Sequence, residues 1–290
     1  MNAAEQIKGR LYYRGDADYW DIPGVNFSTL KELRRSPKHY RYRLEHPREA
    51  TPSMSLGTAA HIATLEPDRF LREFCLWTER KDNGDMWPRR GPKWEAFLAA
   101  NGGKKVISEE EYERAIALSR AVREDETAMR YLGFGKPEVA MTWRHDGTGL
   151  DCKGRVDWVT KADGGPCIVD LKSTRNADPH WFARDVAKMD YHLQLAFYAD
   201  GFEAATGVGP RVVVVAVETA PPYDVVTYIV PPDVIEIGRE AYTEALERLV
   251  ECRRTKEWPG HGGDGEKILT LPAWAVPDED DDLTSLGLEM

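Results

Sequence analysis

Gly154-Arg-Val-Asp157 and, a short turn later, Cys167-Ile-Val-Asp-Leu-Lys-Ser-Thr174 are the stretches on which the reading of this chain turns. At a strand period of two, Ile168, Asp170 and Lys172 project from one face of the second stretch, and Val169 and Leu171 from the other. Asp170 and Lys172 are therefore spatial neighbours. Asp157 closes a preceding strand-like run, Leu150 to Val159, and Asp163-Gly-Gly165 between the runs reads as a hairpin turn. Two carboxylates beside a lysine suffice to hold a hard divalent cation and to polarise a water against a phosphodiester. Each residue alone has a plainer reading. Asp157 could be a turn residue, and Asp170 with Lys172 a surface ion pair. The apolar flank Ile168, Val169 and Leu171 argues for a buried strand end, where a bare charge pair needs a reason.

Outward from this centre, Glu138-Val-Ala-Met-Thr-Trp143 reads as a strand and Arg211-Val-Val-Val-Val-Ala-Val217 as a buried one that pairs with Val225 to Val230. Helices are expected at 179–188, 191–205 and 233–255. On the middle one, Tyr191, Gln194 and Tyr198 share a stripe. Upstream, Thr29 with Glu32 reads as a capping box, Ser36-Pro37 as a second helix start, and Ser108 with Glu111 as another capping box. Met54 to Glu66 is a helix on which Gly57 and His61 share a face among small residues. Trp94 to Ala100 is a short helix, and residues 79–93 are a polar loop. Helices followed by strands, helices, strands and a helix make an α/β protein with a mixed central sheet.

Composition bounds the function. Hydrophobic content of 42% and charged content of 30% are those of a globular protein. The absence of a long apolar run and of a signal-like start leads us to expect a cytoplasmic protein with no membrane partner. The four cysteines (75, 152, 167, 252) show no metal-binding spacing and are expected as free thiols. Net charge is −10, but six acids lie in residues 278–290, and the remainder carries only −4. Conversely, residues 31–48 hold seven Lys or Arg against two acids, a candidate phosphate-contacting surface.

Four stretches in order carry a family resemblance: Leu33-Arg-Arg-Ser-Pro-Lys-His-Tyr40; Leu56-Gly-Thr-Ala-Ala-His61 with Leu65-Glu-Pro67; Thr148 to Asp157 with Val169-Asp-Leu-Lys-Ser-Thr174; and Tyr191-His-Leu-Gln-Leu-Ala-Phe-Tyr198. Leu271-Pro-Ala-Trp274 adds a weaker fifth. Together they resemble the PD-(D/E)XK nucleases of the RecB-like superfamily, and more closely the RecE (exonuclease VIII) branch of phages and prophages. The resemblance implies a restriction-endonuclease-like α/β core, with a mixed central sheet flanked by helices. From their composition, residues 1–26 are expected as an N-terminal arm and 278–290 as an acidic, disordered tail, on either side of one nuclease domain over 27–277.

The resemblance also implies roles. His61, Asp157, Asp170 and the Leu171 carbonyl would ligate one or two Mg²⁺ or Mn²⁺ ions. Lys172 would orient or activate the attacking water, Glu138 would support metal or water placement, and Gln194 and Tyr198 would position the strand or buttress Lys172. From the charge pattern itself, Arg34, Arg35, Lys38 and Arg41 of the basic segment, with Lys153, are expected at DNA, while Arg155, on the same face as Asp157, is expected either to touch a phosphate as a DNA contact or to pair with an acid. Cys252 stands alone where iron–sulfur relatives have a cysteine cluster, so no cluster is expected. The implied activity is an exodeoxyribonuclease that degrades linear duplex DNA from its ends, 5′→3′, leaving 3′ tails for homologous recombination. The implied partners are a RecT-type single-strand annealing protein and further copies of the chain in a ring. The alternatives are a RecB-like nuclease of other polarity, an endonuclease, or an inactive DNA-binding recombination scaffold.

Overall fold

The structure is a computed structural model that describes residues 9–13, 15–16, 18–47, 52–262 and 265–272. Its centre is a run of two antiparallel hairpin steps: β4 (Lys136–Arg144), β5 (Asp151–Ala162) and β6 (Gly165–Thr174). Asp163 and Gly164 join β5 to β6 with φ of 52° and 85°. Positive φ at both central residues is the tight-turn geometry whose twist matches that of paired strands. From Thr174 the chain crosses over through α8 (Pro179–Lys188) and α9 (Tyr191–Thr206), and returns as β7 (Arg211–Glu218) parallel to β6. β8 (Val225–Ile229) pairs antiparallel with β7 at one edge of the sheet. At the other edge, β1 (Arg10–Tyr12) pairs antiparallel with β4. The order β1-β4-β5-β6-β7-β8 is the mixed sheet that the sequence led us to expect.

The valine run of β7 shows why this sheet is covered on both faces. Val212, Val214 and Ala216 enter one core, Val213, Val215 and Val217 the other, and none is more than 3% exposed. Burying a valine contributes about 1.5–3 kcal/mol, so a strand apolar on both faces is stable only between two helical layers. One layer holds α9, α10 (Pro232–Thr255), α1 (Phe27–Leu30) and α2 (Pro37–Glu45). The other holds α3 (Pro52–Leu65), α4 (Pro67–Glu73), α6 (Glu109–Glu124) and α7 (Glu126–Leu132).

The helix starts mostly follow their capping residues. Ser36 Oγ accepts from His39 N at 3.3 Å, with Pro37 as the first residue of α2. Ser108 and Glu111 make the reciprocal box of α6, at 2.8 and 3.1 Å. The expected Thr29 and Glu32 box is corrected. Asn26 caps α1 by accepting from Thr29 N at 3.0 Å, and Glu32 is buried in the 3-10 turn Lys31–Arg34, paired with Arg35 and Arg43. Asn26 directly precedes Phe27, so the helix starts three residues earlier than a Thr29 cap would start it, and Thr29 falls within its first turn.

Three further expectations meet the structure here. The described part of the expected arm supplies β1, and its Tyr19–Ile22 turn is held by Lys153, so it belongs to the sheet layer. Lys153, expected at DNA, is corrected: it is 6% exposed, and its Nζ donates to Tyr19 O at 3.1 Å and Ile22 O at 2.6 Å. The parallel pair β2 (Phe74–Leu76) and β3 (Lys105–Ile107), flanking α5 (Pro92–Ala100), was not anticipated; three residues are too few to show a period. The acidic tail and Trp274 lie outside the described residues. The four cysteines are free, and no described helix is long and apolar enough to cross a membrane.

Candidate active site

The site forms where two strands part. β5 and β6 are in register from Ala162↔Gly165 to Trp158↔Val169, and their pairing ends there. The next position along each strand is Asp157 and Asp170. Beyond the split, the two backbone polar groups of Leu171 go to side chains instead of to a strand. Its N–H donates to Asp157 Oδ2 at 2.8 Å, and its carbonyl is in short contact with His61 Nε2. His61 comes from α3, whose small residues Ala59, Ala60 and Ala63 are at most 3% exposed and allow close packing on the sheet. On the other side of β5, the β4 ladder runs through Pro137↔Trp158 and Val139↔Val156 and omits the rung between them, Glu138 with Asp157. Glu138 has a φ of 52°, which costs a non-glycine residue about 1–3 kcal/mol. Backbone strain of this kind persists where surrounding contacts over-determine it, and here it lies at the site.

His61, Glu138 and Asp157 each present a ligand atom within 4.8 Å of the others, and His61 Nε2 is 3.6 Å from Asp157 Oδ2. Neighbouring oxygens or nitrogens around a Mg²⁺-sized ion lie roughly 3–4.2 Å apart, so this set needs only small side-chain adjustment to close on one. With the Leu171 carbonyl, the donors are one imidazole and several oxygens, which suits Mg²⁺ or Mn²⁺ better than a thiolate-seeking ion. The residues present therefore fit a divalent cation. Glu138 joins this group directly, a closer role than the supporting one the resemblance implied. Asp170 lies beside it: its buried Oδ2 makes no aligned hydrogen bond and contacts Lys172 Nζ as an ion pair at 2.6 Å.

Lys172 is held from three sides. Besides Asp170, its ammonium donates to Gln194 Oε1 at 3.1 Å and lies 4.6 Å from the centre of the Tyr191 ring. Gln194 Nε2 in turn donates to Tyr198 OH at 3.2 Å. One stripe of α9 thus orients the lysine. Gly154 lets α9 come this close, because a Cβ there would stand 3.0 Å from the Tyr198 ring and 2.9 Å from Met141 Cε. Burial lowers the Lys172 pKa, but Asp170 and Asp157 together outweigh it and hold the ammonium above its ordinary value. Among its own neighbours Lys172 is thus a fixed cation and donor. Burial, followed by repulsion from Asp170, lifts Asp157 above the usual carboxylate range against the pull of His61. Burial likewise raises Glu138, more than Arg155 lowers it.

The expected DNA contacts fare unevenly. Arg155 pairs with Glu138 at 3.0 Å and lies 5.0 Å from the Tyr19 ring, so it steadies the site's edge. Arg34 pairs with Asp190 at 3.1 Å, Arg35 with Glu32 at 3.3 Å and Arg41 with Glu45 at 3.2 Å, while Lys38 is exposed. Tyr19 was missed, having no periodic context; burial raises its pKa to about 12 against the opposing pull of Arg155.

A mixed sheet between helical layers, with acids at a strand split and an Asp-x-Lys strand beside them, defines a PD-(D/E)XK-type α/β core. Residues 26–269 match the family described as PDDEXK-like domain of unknown function (DUF3799), and the chain belongs to that family. Among solved structures, it is similar to a protein of Eubacterium rectale provisionally named an exonuclease, with 15% identity and a TM-score of 0.57, over 86% of this chain and 90% of that one. Weaker likenesses are to SSO0001, with 16% identity and a TM-score of 0.37 over 78% of this chain and 75% of that one, and to VC1899 of Vibrio cholerae, with 10% identity and a TM-score of 0.24 over 84% and 58%. No curated protein matches the chain.

Proposed function

We infer that the chain is a divalent-metal-dependent deoxyribonuclease. The observation that carries this is the strand split itself. It gathers His61, Glu138, Asp157 and the Leu171 carbonyl around one point and sets Asp170 and a fixed Lys172 ammonium beside it. When bound, a divalent cation supplies charge stabilisation at the scissile phosphate and acidifies a water. The chain's own part is positional. Asp157 and Glu138, with His61, would hold the ion; Lys172 would present a donor to the attacking water or to a phosphate oxygen; Gln194 and Tyr198 fix that donor's direction.

The finer reading rests on the sequence resemblance to RecE-type enzymes. On it, the protein degrades linear duplex DNA from its ends, 5′→3′, assembles as a ring of identical copies, and passes a 3′ tail to a single-strand annealing protein. The test is purified protein with end-labelled linear duplex and Mg²⁺ or Mn²⁺. Nucleotides should be lost from the 5′ ends while a covalently closed circle stays intact. Equal cutting of the circle would defeat the exonuclease reading, and unchanged activity in Asp170→Ala would defeat the assignment of the site.

A further inference from the structure

A cavity of about 980 Å³ opens beside the site, and Gly57, Arg89, Arg114, Ser173, Arg175 and Tyr191 are among its walls. Its inner end adjoins the catalytic strand. Ser173 follows Lys172 in β6, Tyr191 carries the ring against Lys172 Nζ, and Gly57 lies one turn before His61 in α3. Three acids also lie in its walls, each with a partner but only Glu110 with a cationic one. Glu111 caps α6, Glu110 lies 3.6 Å from Arg114, and Asp185 accepts from Thr174 Oγ1 at 3.3 Å. Arg114 also donates to Thr219 O at 3.3 Å. Arg89 and Arg175 differ: both are exposed, and neither has an acidic partner among the described residues.

Arg89 does not hang from a loose loop. Residues 79–87 fold back on themselves, with Lys81 N donating to Asp85 O at 2.7 Å and Trp87 N to Glu79 O at 2.8 Å. Trp77 Nε1 donates to Trp87 O at 2.7 Å, and the buried Trp77 ring packs edge-on against Trp94 and Phe97 at 5.1 and 4.9 Å. This small aromatic core carries three exposed cations in five residues. Arg89 faces the Trp94 ring at 5.9 Å, Arg90 is free of acids, and Lys93 Nζ is 4.4 Å from the Trp87 ring. Unpaired guanidinium groups from two distant segments at one groove, with aromatic rings behind one of them, are suited to a chain of phosphates.

We propose that Arg89 and Arg175 grip the phosphates of a DNA strand in this groove and lead it to Lys172, with Arg90 and Lys93 at its outer end. The grip reads no bases, so it is indifferent to sequence. That the bound strand is the one hydrolysed rests on the nuclease reading; that the groove binds it does not.

The test is anisotropy of a labelled oligodeoxynucleotide, single-stranded and duplex, with the full-length protein in EDTA over a range of salt. In Arg89→Ala/Arg175→Ala, Kd should rise about tenfold near physiological salt, and the slope of log K against log salt should shrink by about 1.4–1.8 for two lost phosphate contacts. Arg89→Lys/Arg175→Lys should recover most of the binding, and the unfolding midpoint should not move. Wild-type Kd and slope in the alanine pair overturn the proposal. Groove-dependent binding by a protein that cleaves no DNA leaves the groove standing and removes the nuclease reading. Cleavage with an unchanged KM in the alanine pair does the reverse.

Discussion

Residues 31–48 and residues 77–105 carry the same number of cations, seven each, yet the fold leaves more of the second set without an acidic partner. The first has two acids and the second four, so by composition the first is the stronger candidate for DNA. In the structure, Arg34, Arg35, Arg41 and Arg43 of the first segment all lie within ion-pair distance of an acid, and one of those acids, Asp190, comes from the turn between α8 and α9. In the second segment, Arg80 pairs with Glu109 at 2.5 Å, but Lys81, Arg89, Arg90 and Lys93 are exposed with no acidic partner among the described residues. A polyanion responds to charge left unneutralised at the place it must occupy. Counting bases along a chain measures supply, whereas only packing shows what remains.

The largest effect should come from reversing the free pair. Arg89→Glu/Arg175→Glu should weaken strand binding by about 100-fold at moderate salt, since two attractions become repulsions. Anisotropy titration reads this directly, and a change as small as that of the paired region would erase the contrast. Lys153→Met comes next. It leaves the Tyr19 and Ile22 carbonyls without their buried donor, which should cost about 1–3 kcal/mol of stability in denaturant titration, while strand affinity stays near wild type. Arg34→Ala should move strand affinity less than about threefold and stability by about 0–1 kcal/mol, because its partly exposed pair with Asp190 is of the weak kind. The smallest effect belongs to Arg41→Ala. Its i,i+4 pair with Glu45 is more than half exposed on both sides, and about 0.3–0.5 kcal/mol is expected.

The same divide between local pattern and long-range packing runs through the fold. The valines of β7, the Asp163-Gly turn, the Ser36 and Ser108 caps and the α9 stripe were legible, because each is fixed by neighbours a few residues away. So were Asp157, Asp170 and Lys172, whose strand alternation is local. Asn26 displaced Thr29 as a cap because two good capping residues three positions apart give the letters no way to show at which one the helix starts. Glu138 was legible as a strand residue but not as a strained one that joins His61 and Asp157 directly, since the missing rung depends on how β4 and β5 meet. The internal use of Lys153, the pairing of Arg34 with Asp190, and the freedom of Arg89 and Arg175 all depend on residues far apart in sequence. The RecE-type polarity, the ring and the annealing partner rest on resemblance, and no contact within a single chain bears on them.

The parted ends of β5 and β6 are proposed as a metal-dependent phosphodiesterase centre in which Lys172 acts as an oriented donor. The most direct measurement is the single-turnover hydrolysis rate of an end-labelled linear duplex by wild type and by Lys172→Ala, with saturating Mn²⁺ and with EDTA. Hydrolysis should require the metal, and Lys172→Ala should be slower by about 10²–10³-fold while still binding the strand. A Lys172→Ala protein that cuts at the wild-type rate, or wild-type cutting undiminished by EDTA, would contradict it.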